Sequence, residues 1–149
     1  MKKKFVLLPP IILLFLMTLA CSISFDLGSS LDSEIFRVEA REGWTNTHIK
    51  VEAGDFLRIT YLSGKWSPWP GEEFDAIGFG GDPRCRCNVI QGVSHAALIG
   101  RIGDQDPFLV GERYQHAVGE SGILYIGIND VDVYDNSGLL KVKVEVAER

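Results

Sequence analysis

Three carboxylates and two carboxamides crowd into eight residues near the end of this sequence: Asn129, Asp130, Asp132, Asp135 and Asn136, followed by Ser137-Gly138. Calcium takes six to eight oxygen ligands, and a loop of this composition can supply carboxylate, carboxamide and main-chain carbonyl oxygen together. An EF-hand is excluded. Counted from Asp130, the fifth position is Tyr134, the sixth is Asp135 where glycine is required, and the twelfth is Lys141 where a bidentate glutamate belongs. The competing reading is a hairpin rich in Asp and Asn whose side chains bond only their own backbone.

Other reactive side chains are sparse. Cys85 and Cys87 form a C-x-C pair in a Gly/Pro stretch, open to a bridge or to two free thiols; zinc would need two more soft ligands, and His95 is the one near in sequence. His95 follows Ser94, but adjacent residues do not make a nucleophile and its base, and no third member is identifiable. No enzyme is expected. His48, beside Lys50 on a strand, and His116, in a turn-rich stretch, read as solvated. Asp104 and Asp106 flank Gln105 as a hairpin tip, with a second cation site as the alternative. Trp66 and Trp69 could form a platform for the C–H face of a sugar or cover a core; Trp66 is assigned to the core, Trp69 is left open, and Trp44 is assigned to packing.

The segments that must position these groups read as strands. Residues 35–39, 48–52, 56–62, 96–102, 107–110, 123–128 and 139–146 alternate or run apolar, and Leu140, Val142, Val144 and Val146 face one way while Lys141, Lys143 and Glu145 face the other. Glycine or Asp-Pro separates nearly every run, and no stretch of ten residues after the leader has helical period. Seven or eight short strands predict an all-β fold, an antiparallel two-sheet β-sandwich, because one open sheet would leave an apolar face wet. Residues 63–93 read as one long loop, ordered by Trp66, Trp69, Phe74 and Phe79.

The 149 residues suit one domain, and 46% apolar with 23% charged residues excludes disorder. The net charge is −5, with Lys2, Lys3 and Lys4 gathered at the start. Such an acidic body excludes a nucleic-acid partner, which needs clustered cations. The lysines followed by uncharged Phe5–Ala20 read as a signal peptide over residues 1–20. Pro9-Pro10 and the length argue against a retained span. Met17-Thr18-Leu19-Ala20-Cys21 resembles a bacterial lipobox, with Thr18 and Leu19 where Leu and a small residue usually stand, so Cys21 is the expected lipidation site, residues 21–32 the tether, and residues 33–149 the domain. The expected location is the cell envelope as a membrane-anchored lipoprotein, with secretion as the alternative.

From about Arg37 to Val146 the chain resembles the PA-IL-like galactose-specific bacterial lectins, a galactose-binding-domain-like, jelly-roll β-sandwich family. The resemblance rests on Val51-Glu52-Ala53-Gly54-Asp55, Gly64-Lys65-Trp66, residues 97–103, Phe108-Leu109-Val110-Gly111, and above all Asn129-Asp130 with Asp135-Asn136-Ser137-Gly138. It implies a Ca²⁺ ion held by Asp130, Asp135, Asn136 and the main-chain carbonyls of Trp69 and Val133. It also implies a carbohydrate partner, a galactose-like sugar or other glycan, whose hydroxyls meet that ion beside Asp130, Val131, Asp135 and Asn136. Oligomers would raise avidity. Here the closing turn is two residues shorter, Asp135 replaces an Asn, and residues 78–91 stand where the family has the His-Pro-x-Gln that fixes galactose. The rival expectation is a structural or interaction domain of the envelope with at most a structural calcium.

Overall fold

The computed structural model describes residues 32–81 and 86–149. The leader, Cys21, most of the tether and Cys85 lie outside these residues. Eight strands form two antiparallel four-stranded sheets: β1 (Asp32–Glu39), β2 (Trp44–Val51), β3 (Phe56–Ser67), β4 (Leu98–Ile102), β5 (Phe108–Leu109), β6 (Arg113–Ala117), β7 (Gly122–Ile128) and β8 (Ser137–Ala147). One sheet has the order β1-β8-β3-β6 and the other β2-β7-β4-β5. Strands one and eight, two and seven, three and six, four and five are neighbours, as if one long hairpin had been rolled up. This is the jelly-roll winding, and the expected all-β sandwich is present.

Alternation decides which faces meet. Leu140, Val142 and Val144 on β8, Leu57 and Ile59 on β3, and Leu124, Ile126 and Ile128 on β7 are buried between the sheets with Val38, Val51 and Leu98. Trp66 is the largest side chain in this core, and its indole N–H donates to the Ala96 carbonyl at 2.9 Å. A buried indole carries one donor, and this bond satisfies it.

Three expectations change. β3 does not stop at Leu62 but continues through Gly64 to Ser67, carried past a bulge between Tyr61 and Ser63 by pairing with β8. The irregular segment is correspondingly shorter. β6, Arg113–Ala117, was not expected because its residues are mostly exposed and lack apolar alternation; it forms by pairing with β3, and His116 belongs to it. β4 begins at Leu98 and not at residue 96, and Gly100 lies inside it, where the ring of Phe108 occupies the space a Cβ would take, 2.7 Å away.

Candidate functional site

The acidic segment is a crossover, not the expected hairpin. β7 belongs to one sheet and β8 to the other, so residues 129–136 bridge the two layers at one end of the sandwich. At that end the register sets Ser67 opposite Ser137, which brings Pro68 and Trp69 beside the start of β8. The result is a cleft of about 440 Å³ lined by Pro68, Trp69, Phe79, Cys87, His95, Asp130, Asp132 and Asp135. Carboxylates line one side and rings the other.

Each side chain of the acidic segment has a distinct position. Asp130 is 5% exposed; one carboxylate oxygen accepts the Asp132 N–H at 3.0 Å, and the other stands 3.9 Å from Nε2 of His95. Burial pushes its acidity down, raising the pKa above the usual aspartate value. The carboxylate of Asp135 adds to this, while the Asp132 N–H, the Asn136 amide and His95 oppose it. Asp132 accepts the Tyr134 N–H at 3.3 Å. Asn136 is 1% exposed; its amide donates to the Ala40 carbonyl at 3.4 Å, and its Oδ1 is buried with no hydrogen-bond partner. Asp135 and Val131 are exposed, and Tyr134 is 82% exposed beneath Arg41. The Val133 carbonyl accepts the Asn136 N–H, and the Trp69 carbonyl accepts the Ser67 hydroxyl.

A desolvated carboxylate, a second carboxylate near it and an orphaned carboxamide oxygen are a donor set suited to a hard cation, since a buried acceptor without a partner is costly. Among the described residues no three His, Cys, Asp or Glu side chains gather to hold a metal by themselves. A calcium ion here would therefore need carboxamide and main-chain oxygens as well, and the unpartnered Oδ1 of Asn136 is the oxygen free to serve. Asp130, Asp135 and Trp69 line the cleft, and Asn136 bonds to Asp130 from behind; Val131 and Val133 are not part of its lining.

The facing wall was largely invisible in the sequence. Trp69 stacks on His95, ring centres 5.5 Å apart and planes 3° from parallel, and meets Phe74 and Phe79 edge-on. His95 is held in one tautomer. The Asn88 amide donates to the Val93 carbonyl at 3.1 Å, so its oxygen faces the ring and accepts the Nδ1–H at 2.9 Å. That leaves Nε2 turned toward Asp130, 3.9 Å from its carboxylate. Cys87 is disulfide-bonded, with Sγ 3.3 Å from Nδ1 of His95. A bridged sulfur offers no thiolate to zinc. His48 is exposed, and Trp44 packs under Arg101 at 4.8 Å.

Asn129 binds this wall to the acidic segment. It is fully buried; its oxygen accepts the Ile90 N–H at 2.7 Å, and its amide donates to the carbonyls of Ser94 at 3.0 Å and of Ile90 and Val93 at 3.3 Å. Asn129→Ala is expected to lower stability by about 2–3 kcal/mol, read as a fall in melting temperature, because several buried polar groups lose their partner. An unchanged melt would show that water replaces the amide.

A solved lectin domain shares this fold. The structure described as the EclA N-terminal domain, a PllA-like lectin, superposes with a TM-score of 0.59 over 75% of this chain and 94% of its own, at 24% sequence identity. At that identity the likeness is one of fold. No family model and no curated protein matches the sequence.

Proposed function

We propose that this chain is an exported, lipid-anchored, calcium-dependent carbohydrate-binding protein that breaks no bond. The observation that carries the reading is the buried, unpartnered Oδ1 of Asn136 next to the desolvated Asp130, which itself lines a cleft shared with Trp69 and Phe79. The lectin fold of the solved neighbour supports it. Asp130, Asp135 and Asn136, with the Trp69 and Val133 carbonyls, would hold Ca²⁺, which when bound supplies vacant positions for vicinal hydroxyls.

The chain's own groups do the rest. Trp69 and Phe79 offer apolar surface to the C–H face of a pyranose, a packing that adds area burial with geometric selectivity. Nε2 of His95, whose Nδ1 is engaged by Asn88, faces the cleft as a hydrogen-bonding partner for one sugar hydroxyl. A cleft of this volume accommodates one or two sugar rings. The partner is a galactose-like sugar or another glycan, and weak single-site binding would be raised by multivalent display.

A second reading has its own support. Asp130 and Asp132 each cap a backbone N–H two residues on, as a self-bonded loop would. On that reading the domain is structural, with calcium at most a rivet. A glycan array run with calcium and with chelator separates the two: calcium-dependent retention of a sugar class is expected, and retention of none by protein shown to bind calcium selects the structural domain.

A further inference from the structure

The outward face of the β1-β8-β3-β6 sheet contrasts in charge with the rest of the molecule. By register and alternation, Arg37 on β1, Lys141 and Lys143 on β8, Arg58 and Lys65 on β3, and Arg113 on β6 all point away from the core. Two acidic residues share this face, Glu39 and Glu145, and Glu145 is paired with Lys143 at 3.1 Å and Arg58 at 3.7 Å. Six cations against two anions stand on one face of a chain that has 15 Lys and Arg to 20 Asp and Glu overall. Such segregation builds a local positive potential on an acidic protein.

The same face exposes large apolar side chains. Ile35 is 60% exposed, Leu62 43% and Phe56 42%, interleaved with the cations. A soluble anionic polymer needs only the charge. Cations mixed with apolar groups suit a bilayer interface, where one set meets phosphates and the other enters the acyl boundary. The nearness of a membrane rests on the proposed lipid anchor at Cys21: ten residues separate Cys21 from Asp32, which opens β1 at the edge of this very sheet. Their full extension spans at most about 35 Å.

We propose that this face docks on an anionic phospholipid bilayer, as a second attachment beside the N-terminal anchor. One lipid chain binds reversibly by itself, and a basic patch is the kind of second signal that makes attachment stable. The cleft is not covered by such docking. Asp32 pairs with Val146 at the far end of β8, whereas Asn136 and the cleft lie before its first residue, so the site stays at the free end of the sandwich. The inference does not depend on calcium or on any sugar.

Full-length protein is incubated with phosphatidylcholine vesicles and with vesicles that also contain phosphatidylglycerol, and bound protein is measured by co-sedimentation across a salt series. Lys2, Lys3 and Lys4 of the leader favour anionic vesicles by themselves, so the difference between the parent and a variant that keeps the leader reports the face. Expected is a preference for anionic vesicles that high salt abolishes and that the combined variant R37Q/K65Q/K141Q lowers by about ten- to a hundredfold. Removing charge elsewhere, in K50Q/R149Q, leaves it in place. Equal binding to both vesicles would overturn the proposal, as would a preference that survives the three substitutions. So would a soluble anionic polysaccharide that binds as tightly as the vesicles, or a dimer that forms through this face.

Discussion

Asp130→Asn is expected to abolish stabilisation by calcium while leaving the calcium-free protein as stable as the parent, or more so. The two effects have opposite signs because the same carboxylate is a ligand in one state and a buried charge in the other. Without a cation, Asp130 is desolvated and lies near the Asp135 carboxylate, which raises its pKa. A carboxyl whose folded pKa lies above its unfolded value contributes most stability when protonated, so the calcium-free parent loses stability as pH rises through that folded pKa. Asn retains an oxygen for the Asp132 N–H and removes the charge, so the variant lacks this slope. With free calcium at about a hundred times its dissociation constant the parent gains about 2.7 kcal/mol, a rise in melting temperature of roughly 10 °C for a domain of this size. The variant should show almost none of it. Thermal melts of both proteins, with calcium and with chelator, at neutral and mildly acid pH, decide the matter. A parent indifferent to millimolar calcium would remove the metal from the site, and a variant that keeps the full shift would remove Asp130 from the metal.

How much of this was legible depends on how local each signal is. β8 could be read directly, because Leu140, Val142 and Val144 alternate with Lys141, Lys143 and Glu145 and one strand's period needs no partner to be seen. β6 could not: Arg113-Tyr114-Gln115-His116-Ala117 owes its extension to pairing with β3, which the sequence does not encode as a pattern. Nor could the crossing of residues 129–136 between layers, since a hairpin and a crossover begin and end with the same two strands. In the site, Asp130, Asp135 and Asn136 stood out by oxygen density along the chain. His95 and Asn88 did not, because their role comes from the approach of His95 to Asp130, 35 positions away, and from the bond between the Asn88 amide and the His95 ring. Asn129 was read only as one member of the Asn-Asp pair. Its clamp on residues 90–94 is a tertiary fact with no sequence period behind it.

Gly138 ties that local signal to the fold, and Gly138→Ala is expected to cost at least about 3 kcal/mol and to remove calcium binding with it. Its φ is +80°, a region that an L side chain enters only at a cost of about 1–2 kcal/mol. A Cβ there would stand 2.5 Å from the Lys65 carbonyl oxygen and 2.9 Å from Cα of Trp66. Both atoms are backbone of β3, paired there with β8, so neither can swing aside. Relief must come from β8 moving away from β3 where Trp66 faces Gly138 and Ser67 faces Ser137. That movement would displace Asn136, one residue before the strand, and loosen the Trp69 loop across from it. Gly43, also at positive φ, is a suitable control: a Cβ there meets only the flexible Val133 side chain, at 3.7 Å. Gly43→Ala should therefore lose only the conformational cost and keep its calcium response. Equal losses in the two variants would mean that backbone conformation alone, and not the close approach of β8 to β3, sets the position of Asn136.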